Sequence, residues 1–288
     1  MSDELETAAG HKSPLASSVS VSEPGTKTAE GAGKTPGASI GAPERPSIAS
    51  APLSVILVAR PRITEPIAVE WTTYLDGLGR DYEALLVQTD NAGATDDVNQ
   101  WAARFPRMRL LHSGNQRGFG AALRLGLEHA RHPLLFYTLC DEQYPPADLD
   151  RMLQWIDHAD VVGGYRLGGY VRRPRILRRW AYRKLIRLLF AVRMRDLNCY
   201  SLLARRSIFA RIPIQSDTSF AHVEVLAKAN FLGCLMTEVP VSSRAYLPGG
   251  MASEKSDLLR VFSHPSFGPA RVPSEPDLLN DAPTTAMT

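Results

Sequence analysis

Short apolar segments alternate with segments of helical periodicity between Leu53 and Tyr246. Apolar residues recur at helical spacing in two places, after Gly120 and after the Pro145–Pro146 pair. Five of the apolar segments are rich in strand-forming residues: Ser54–Ala59, Glu83–Gln88, Met108–His112, Leu134–Thr138 and Asp160–Gly164. Strands that are apolar throughout and separated by helices favour a parallel sheet with right-handed crossovers. The sequence therefore predicts an α/β fold, an open, mostly parallel, doubly wound sheet with helices on both faces.

Composition divides the chain into three parts. Residues 1–50 consist mainly of Ala, Ser, Gly, Pro and Thr, so we expect a disordered tail. Residues 51–248 form the predicted domain. Residues 249–288 are polar and rich in proline, and we expect them to be largely disordered apart from a short docked helix around Leu258 to Phe262.

Whole-chain composition excludes several protein classes. With 44% hydrophobic and 22% charged residues, the chain is typical of a globular protein, and its net charge of +3 does not by itself indicate nucleic acid. Three distant cysteines without a CxxC pair indicate neither a disulfide framework nor a zinc site. The sequence contains neither a leader pattern nor an apolar run of membrane-spanning length, so we expect a cytoplasmic location.

Candidate site residues follow the predicted strands, because ligands of such sheets bind beyond the carboxyl ends of the strands. A polar loop with Asp90 follows the second strand, and its carboxylate could accept from a nucleobase or ribose. The alternative is an Asx turn before an N-capped helix. Gly118 and Gly120 open the next helix, where main-chain amides can approach a phosphate, or where the helix simply needs a tight entry.

The fourth strand runs into Cys140, Asp141, Glu142 and Gln143. Two acids and an amide at the end of a strand can supply hard oxygen ligands to Mg²⁺ or Mn²⁺. The alternative is that the acids cap the following helix and compensate its dipole.

The order of these motifs resembles the family 2 glycosyltransferases of GT-A fold, and within them most closely the polyprenyl (dolichyl) phosphate sugar transferases. The resemblance spans nearly the whole predicted domain. It rests on the Asp90 loop and on four segments: Gly118–Leu123, Cys140–Pro146, Gly164–Arg166 and Arg195–Cys199. It continues through Phe220 to Glu224 and through Glu238 to Val241.

The resemblance implies a site and a reaction. It implies transfer of a sugar from a nucleoside diphosphate sugar to a polyprenyl phosphate, with inversion. The donor would be bound at Ala59, Asp90, Gly118, Gly120 and Cys140. Asp141 and Gln143 would hold Mg²⁺ or Mn²⁺, and Arg166 would assist catalysis. Glu224 is the candidate base if the acceptor is a hydroxyl rather than a phosphate, which needs no base; the alternative is an acid on a helix surface or the partner of an arginine.

The chain departs from the family pattern at several positions. Leu139 replaces the first acid of the DxD motif, Val58–Arg62 replaces a Pro-Ala-Tyr-Asn-Glu segment, and Ala92 interrupts the acidic loop. Loss of a carboxylate weakens a divalent metal site. A catalytically impaired relative that binds nucleotide sugars is therefore the alternative function.

A basic segment runs from Arg166 through Arg195, with eleven Arg or Lys residues and no acid. Apolar residues at helical spacing predict an amphipathic helix. Such a helix suits peripheral contact with an anionic membrane and binding of a lipid phosphate. The candidate acceptor or membrane residues are Arg172, Arg173, Arg175, Arg178 and Arg179. The alternatives are an apolar stripe packed on the sheet with solvated arginines, or a nucleic-acid adaptor, although nucleic acid is not the expected partner.

Overall fold

The computed structural model describes residues 47–59, 65–88, 103–114, 116–140, 144–167, 173–242 and 254–269. Within these ranges the strands are β1 (Leu53–Ala59), β2 (Tyr82–Gln88), β3 (Met108–His112), β4 (Leu134–Cys140), β5 (Val161–Arg166), β6 (Ser201–Arg205) and β7 (Met236–Val241). The helices are α1 (Glu65–Gly77), α2 (Phe119–His129), α3 (Asp148–Leu153), α4 (Arg173–Phe190), α5 (Arg206–Arg211), α6 (Phe220–Phe231) and α7 (Glu254–Ser263).

The strands form one sheet in the order β3-β2-β1-β4-β6-β5-β7. Strand β1 pairs in parallel with β2 and β4, and β2 with β3 and β5 with β7 are also parallel. Only β6 runs the other way, antiparallel to β4 and β5. The carboxyl ends of the other six strands therefore lie at one edge of the sheet. The predicted open, mostly parallel α/β sheet and its five predicted strands are confirmed.

Helices cover both faces of the sheet. The ring of Trp71 in α1 lies 5.9 Å from that of Phe136 in β4. On α2, Gly126 lies so close to the Ile56 side chain that a β-carbon there would overlap it. Phe136 pairs with Val55, the neighbour of Ile56, so Phe136 and Ile56 point to opposite faces. Helices α1 and α2 thus bury the two sides of the central strands.

Strands β6 and β7 were not predicted from the sequence. Strand β6 is only five residues long and ends in Arg205, whereas β7 contains two adjacent polar residues, Thr237 and Glu238, and also Pro240. Proline is tolerated in β7 because this strand lies at the edge of the sheet. Both strands pair with neighbours that are distant in sequence: β6 with β4 and β5, and β7 with β5.

Short segments on both sides of the predicted domain pack against it. Ile48 is buried, and the Asp157 carboxylate accepts hydrogen bonds from the main-chain NH groups of Ile48 at 2.7 Å and Ala49 at 3.0 Å. Residues 47–50, predicted to belong to the disordered tail, therefore pack on the domain. Helix α7 forms where a short docked helix was expected, with Leu258 and Val261 buried.

Candidate active site

The ends of three central strands meet at the carboxyl edge of the sheet. Ala59 of β1 is in register with both Gln88 of β2 and Cys140 of β4. The side chains of Ala59 and Cys140 are buried, so only their main-chain groups can serve a ligand. Asp90, Asp141, Gln143 and Arg172 lie outside the described residues, and their predicted roles stay predictions.

Arg166, at the end of β5, forms an ion pair with Asp196. Its Nε donates to Oδ2 at 2.7 Å and its Nη2 to Oδ1 at 2.9 Å, with both side chains almost fully buried. Burial by itself would lower the pKa of Arg166, but the hydrogen bonds and charge of Asp196 raise it above its usual value. The guanidinium is therefore permanently charged, and two of its donors are held by Asp196.

The partner of Arg166 was not predicted, although the sequence carries a signal for it. Asp196 is the first acid after the long basic segment, and Glu238 holds the same loop by accepting hydrogen bonds from the main-chain NH groups of Arg195 and Asp196. Burial raises the pKa of Glu238. The two acids fix the segment that leads from α4 to β6.

A buried polar cluster lies beneath the same edge and was also missed from the sequence. His222 of α6 is within hydrogen-bond distance of the Tyr137 hydroxyl, 2.9 Å from Nδ1, and its ring packs against that of Tyr200. The Tyr200 main-chain NH donates to the Tyr144 hydroxyl at 3.3 Å. Burial lowers the pKa of His222 to about 4, so its imidazole is neutral at neutral pH.

Gly118 and Gly120 pack against the backbone that precedes α6. Gly118 has a φ of 99°, and a β-carbon at Gly118 or Gly120 would overlap the carbonyl oxygen of Asp217 or Ser216, respectively. The Gly120 NH donates to the Asp217 carbonyl at 2.9 Å. The Gly120 NH is therefore already hydrogen-bonded within the chain, and the predicted place of the Gly118–Gly120 turn near the donor phosphates stays a prediction.

Glu224 is not a general base in this structure, which corrects its predicted role. It is fully buried on α6 and forms an ion pair with Lys228, with Oε1 and Nζ 2.7 Å apart. Its carboxylate also accepts from the main-chain NH groups of Gln215 at 2.8 Å and Ser216 at 2.9 Å. A carboxylate whose two oxygens are committed in this way, without access to solvent, stabilises the fold instead of receiving a proton from substrate.

The predicted basic helix is α4. Arg173, Arg175, Arg178 and Arg179 belong to its first two turns. Further along α4, Ile186 and Phe190 are buried, whereas Trp180, Leu185 and Leu188 are 49%, 43% and 82% exposed. The Lys184 ammonium lies 5.6 Å from the centre of the Trp180 ring. The apolar residues of α4 therefore divide into an inward and an outward set, and Trp180 of the outward set lies beside Lys184.

Replacement of Gly120 tests the close approach of α2 to the segment before α6. Gly120→Ala should lower the free energy of unfolding by about 1 to 3 kcal/mol, because the added methyl group overlaps the Ser216 carbonyl. Gly77→Ala is the matched control, since a β-carbon there meets nothing within 4 Å, and should leave the stability unchanged or slightly raised. Denaturant unfolding measures both, and equal stabilities of the two variants would contradict this packing.

Replacement of Glu224 separates a structural from a catalytic role. Glu224→Gln should lower the free energy of unfolding by about 3 to 5 kcal/mol, because the Lys228 ammonium is left buried without its partner. The double variant Glu224→Gln/Lys228→Met should regain much of that loss. Asp217→Asn breaks an ion pair with Arg124 in which Asp217 is exposed, and should cost less than about 1 kcal/mol. A stable Glu224→Gln protein would argue against the structural role.

The comparisons with known proteins agree with the fold. Residues 76–226, more than half of the chain, match the model of glycosyl transferase family 2. Two curated relatives are undecaprenyl-phosphate 4-deoxy-4-formamido-L-arabinose transferases. The one from Edwardsiella ictaluri (strain 93-146) is 29% identical over 94 residues, and the one from Shewanella sediminis (strain HAW-EB3) is 28% identical over 141 residues. The matches cover 32% and 46% of this chain but only 29% and 41% of the relatives.

Solved structures of similar architecture include glucosyl-3-phosphoglycerate synthase from Mycobacterium tuberculosis, in complex with phosphoglyceric acid, with a TM-score of 0.54 and 17% identity. That match covers 75% of this chain and 78% of the other. Mannosyl-3-phosphoglycerate synthase from Rubrobacter xylanophilus has a TM-score of 0.52 at 16% identity and covers 74% and 70%. At these identities the likeness establishes the GT-A-type fold alone. The family match, over more than half of the chain, shows that this chain belongs to glycosyl transferase family 2.

Proposed function

We propose that this chain transfers a sugar from a nucleoside diphosphate sugar to a polyprenyl phosphate, with inversion at the anomeric carbon. The proposal is carried by the edge of the sheet where β1, β2 and β4 end in register. The chain is a member of glycosyl transferase family 2, whose reaction this proposal makes specific. The curated relatives are named as undecaprenyl-phosphate sugar transferases, which supports the class of acceptor.

The strand register supports a donor site that Asp90 and Asp141 share. Gln88 and Cys140 flank Ala59 on either side, so they lie about 10 Å apart, two strand spacings of about 4.8 Å each. Asp90 follows Gln88 by two residues, and Asp141 follows Cys140 directly. In the proposal Asp90 contacts the nucleoside, Asp141 is on the diphosphate side, and the turn at Gly118 lies close to the phosphates.

The residues after β4 fit a divalent cation. Asp141, Glu142 and Gln143 offer carboxylate and amide oxygens, which Mg²⁺ and Mn²⁺ prefer as ligands. The described part of the chain has no group of three or more His, Cys, Asp or Glu residues that could hold a metal ion. We propose, from these ligand types alone, that Asp141 and Gln143 hold the cation, which would neutralise charge on the leaving diphosphate.

The reaction needs no general base from the protein. The acceptor phosphate is already ionised near neutral pH, and one of its oxygens forms the new bond to the anomeric carbon. The bond from that carbon to the diphosphate oxygen breaks, and the electron pair leaves with the nucleoside diphosphate. The buried ion pair of Glu224 is consistent with this chemistry. Arg166 would act by fixing the Asp196 loop beside the site instead of contacting the leaving group.

Helix α4 offers a surface for the lipid acceptor. Trp180, Leu185 and Leu188 are exposed beside Lys184, and the segment from Arg166 through Arg195 contains no acid. Apolar side chains among cations suit the interface of an anionic membrane. None of the helices in the described residues is long and apolar enough to cross a membrane. We propose that α4 makes a peripheral contact through its outward apolar residues.

A transfer assay tests the proposed reaction. Wild-type protein with Mn²⁺ should move sugar from UDP- or GDP-linked donors to a polyprenyl phosphate, and Asp141→Ala should reduce the rate by at least about tenfold, because a charged metal ligand is lost. Glu128→Ala, a change on α2 remote from the edge, is the control and should leave the rate unchanged. Omission of the metal should reproduce the Asp141→Ala loss.

Two outcomes of this assay would contradict the proposal. Donor binding without transfer to any acceptor would identify a catalytically impaired relative. Transfer to 3-phosphoglycerate but not to polyprenyl phosphate would overturn the acceptor assignment.

Vesicle flotation tests the membrane contact. Leu188→Gln and Trp180→Gln should each weaken binding to vesicles that contain phosphatidylglycerol by about tenfold. Each change removes one large apolar side chain that the membrane would otherwise bury. Trp155→Gln is the matched control, since Trp155 is 48% exposed but lies outside α4. The same binding by all three variants would contradict the α4 surface. Strongly salt-dependent binding to nucleic acid but not to vesicles would favour the adaptor alternative.

A further inference from the structure

Helix α7 is tied to the rest of the domain through the buried carboxylate of Asp257. Its Oδ2 accepts hydrogen bonds from the Ser216 hydroxyl at 2.5 Å and from the Thr218 hydroxyl at 2.6 Å. Its Oδ1 accepts from Nη2 of Arg260 at 2.8 Å. Helix α7 lies outside residues 76–226, the part of the chain that matches the family model. The contact is thus made by a segment beyond the family match.

The acid also fixes the direction of both hydroxyl groups. A carboxylate only accepts hydrogen bonds, so Ser216 and Thr218 must point their protons at Asp257. Their oxygens then accept from the main-chain NH groups of Thr218 at 3.2 Å and Phe220 at 3.3 Å, respectively. Asp257 thereby sets the shape of the turn at residues 216–220, which begins α6.

A second group of hydrogen bonds joins α7 and the residues after it to the segment that precedes α6. Arg260 donates to the Gln215 carbonyl at 2.7 Å, and the Gln215 side chain donates to the His264 carbonyl at 2.9 Å. The Ser266 main-chain NH donates to Gln215 Oε1 at 2.9 Å. The Gly268 NH donates to the Arg211 carbonyl at 3.0 Å. Residues 254–268 therefore brace the segment from Arg211 to Thr218.

The braced segment in turn holds the first turn of α2. The Asp217 carbonyl accepts the Gly120 NH at 2.9 Å, and Gly118 and Gly120 touch the backbone of residues 216–217. Arg124 of α2 pairs with the Asp217 carboxylate and donates to the Ile214 carbonyl at 3.0 Å. The loop before α2 starts at Ser113, whose NH donates to the Gln88 carbonyl at the end of β2. Asp257 is thus linked by a continuous chain of contacts to the carboxyl edge.

We propose that Asp257 is a positioning residue for the donor site: through Ser216 and Thr218 it holds the turn at Gly118–Gly120 in place beside the ends of β1, β2 and β4. The proposal rests on the proposed function in that it takes this edge as the donor site. Asp257 itself acts through the turn and makes no contact with the reacting groups.

Three variants and one control test the proposal. Asp257→Asn removes the charge, Thr218→Val removes one hydroxyl group at nearly constant shape, and Thr218→Ser keeps that hydroxyl group. Ser263→Ala, at an exposed position of α7, is the control. Amide hydrogen exchange measured by NMR reports on Gly120 and Ala122 in the first turn of α2. Titration with UDP and with GDP, in the presence of Mn²⁺, gives the Kd of the nucleoside diphosphate.

Asp257→Asn and Thr218→Val should speed exchange at Gly120 and Ala122 by about tenfold, the effect of losing a hydrogen bond to a charged group, and should raise the Kd by a similar factor. Thr218→Ser and Ser263→Ala should match the wild type. Wild-type exchange in the first two variants would overturn the proposal. Uniformly faster exchange in β1, β2 and α2 with an unchanged Kd would also overturn it, because it indicates a merely structural role. Failure of wild-type protein to bind either nucleotide would instead contradict the proposed function. The exchange rates at Gly120 and Ala122 would still show whether Asp257 holds the first turn of α2 in place.

Discussion

The parallel pairing of β1 with β2 and β4 is the constraint on which the rest of the structure depends. All seven residues of each of these strands are buried, so close packing and the hydrogen bond from Ser54 to its register partner Glu83, at 2.7 Å, favour one register. That register brings Ala59, Gln88 and Cys140 to the same level at one edge. The loops that leave this edge carry Asp90 and Asp141. The position of the candidate site is therefore a consequence of sheet packing.

The charged groups that the sequence analysis assigned to the site serve two purposes. Those that are buried in ion pairs stabilise the fold, and those in the loops at the edge are proposed to bind the metal and the donor. Glu224 with Lys228 and Arg166 with Asp196 form buried ion pairs, in which each charge is compensated by its partner. Such pairs hold segments in place but have little freedom to exchange protons with a substrate. The residues proposed for metal and donor binding lie instead in the loops that follow β2 and β4. Buried ion pairs therefore stabilise the fold, and the loops after β2 and β4 carry the residues proposed for chemistry.

The sequence predicted the central strands because local pattern and final burial agree there. It did not predict β7, because Thr237, Glu238 and Pro240 interrupt the apolar pattern; the edge position of this strand tolerates the proline. The role of Glu224 was mispredicted for a related reason. Glu224 and Lys228 are four residues apart, a spacing typical of an exposed pair on a helix, but α6 is buried on nearly all sides by distant parts of the chain. Gly120 was correctly placed at the entry of α2, yet only the structure reveals the carbonyl that occupies its amide.

The central claim is that the carboxyl edge of the sheet binds a nucleoside diphosphate sugar. The most direct test is an NMR map of main-chain amides during titration with a nucleoside diphosphate and Mg²⁺, which is diamagnetic. The largest changes are expected at Ala59, Gln88 and Cys140. The amides around Phe209 and Ile212, which line a separate groove of about 360 Å³, should be unaffected. Saturable changes in that groove with none at the ends of β1, β2 and β4 would contradict the account.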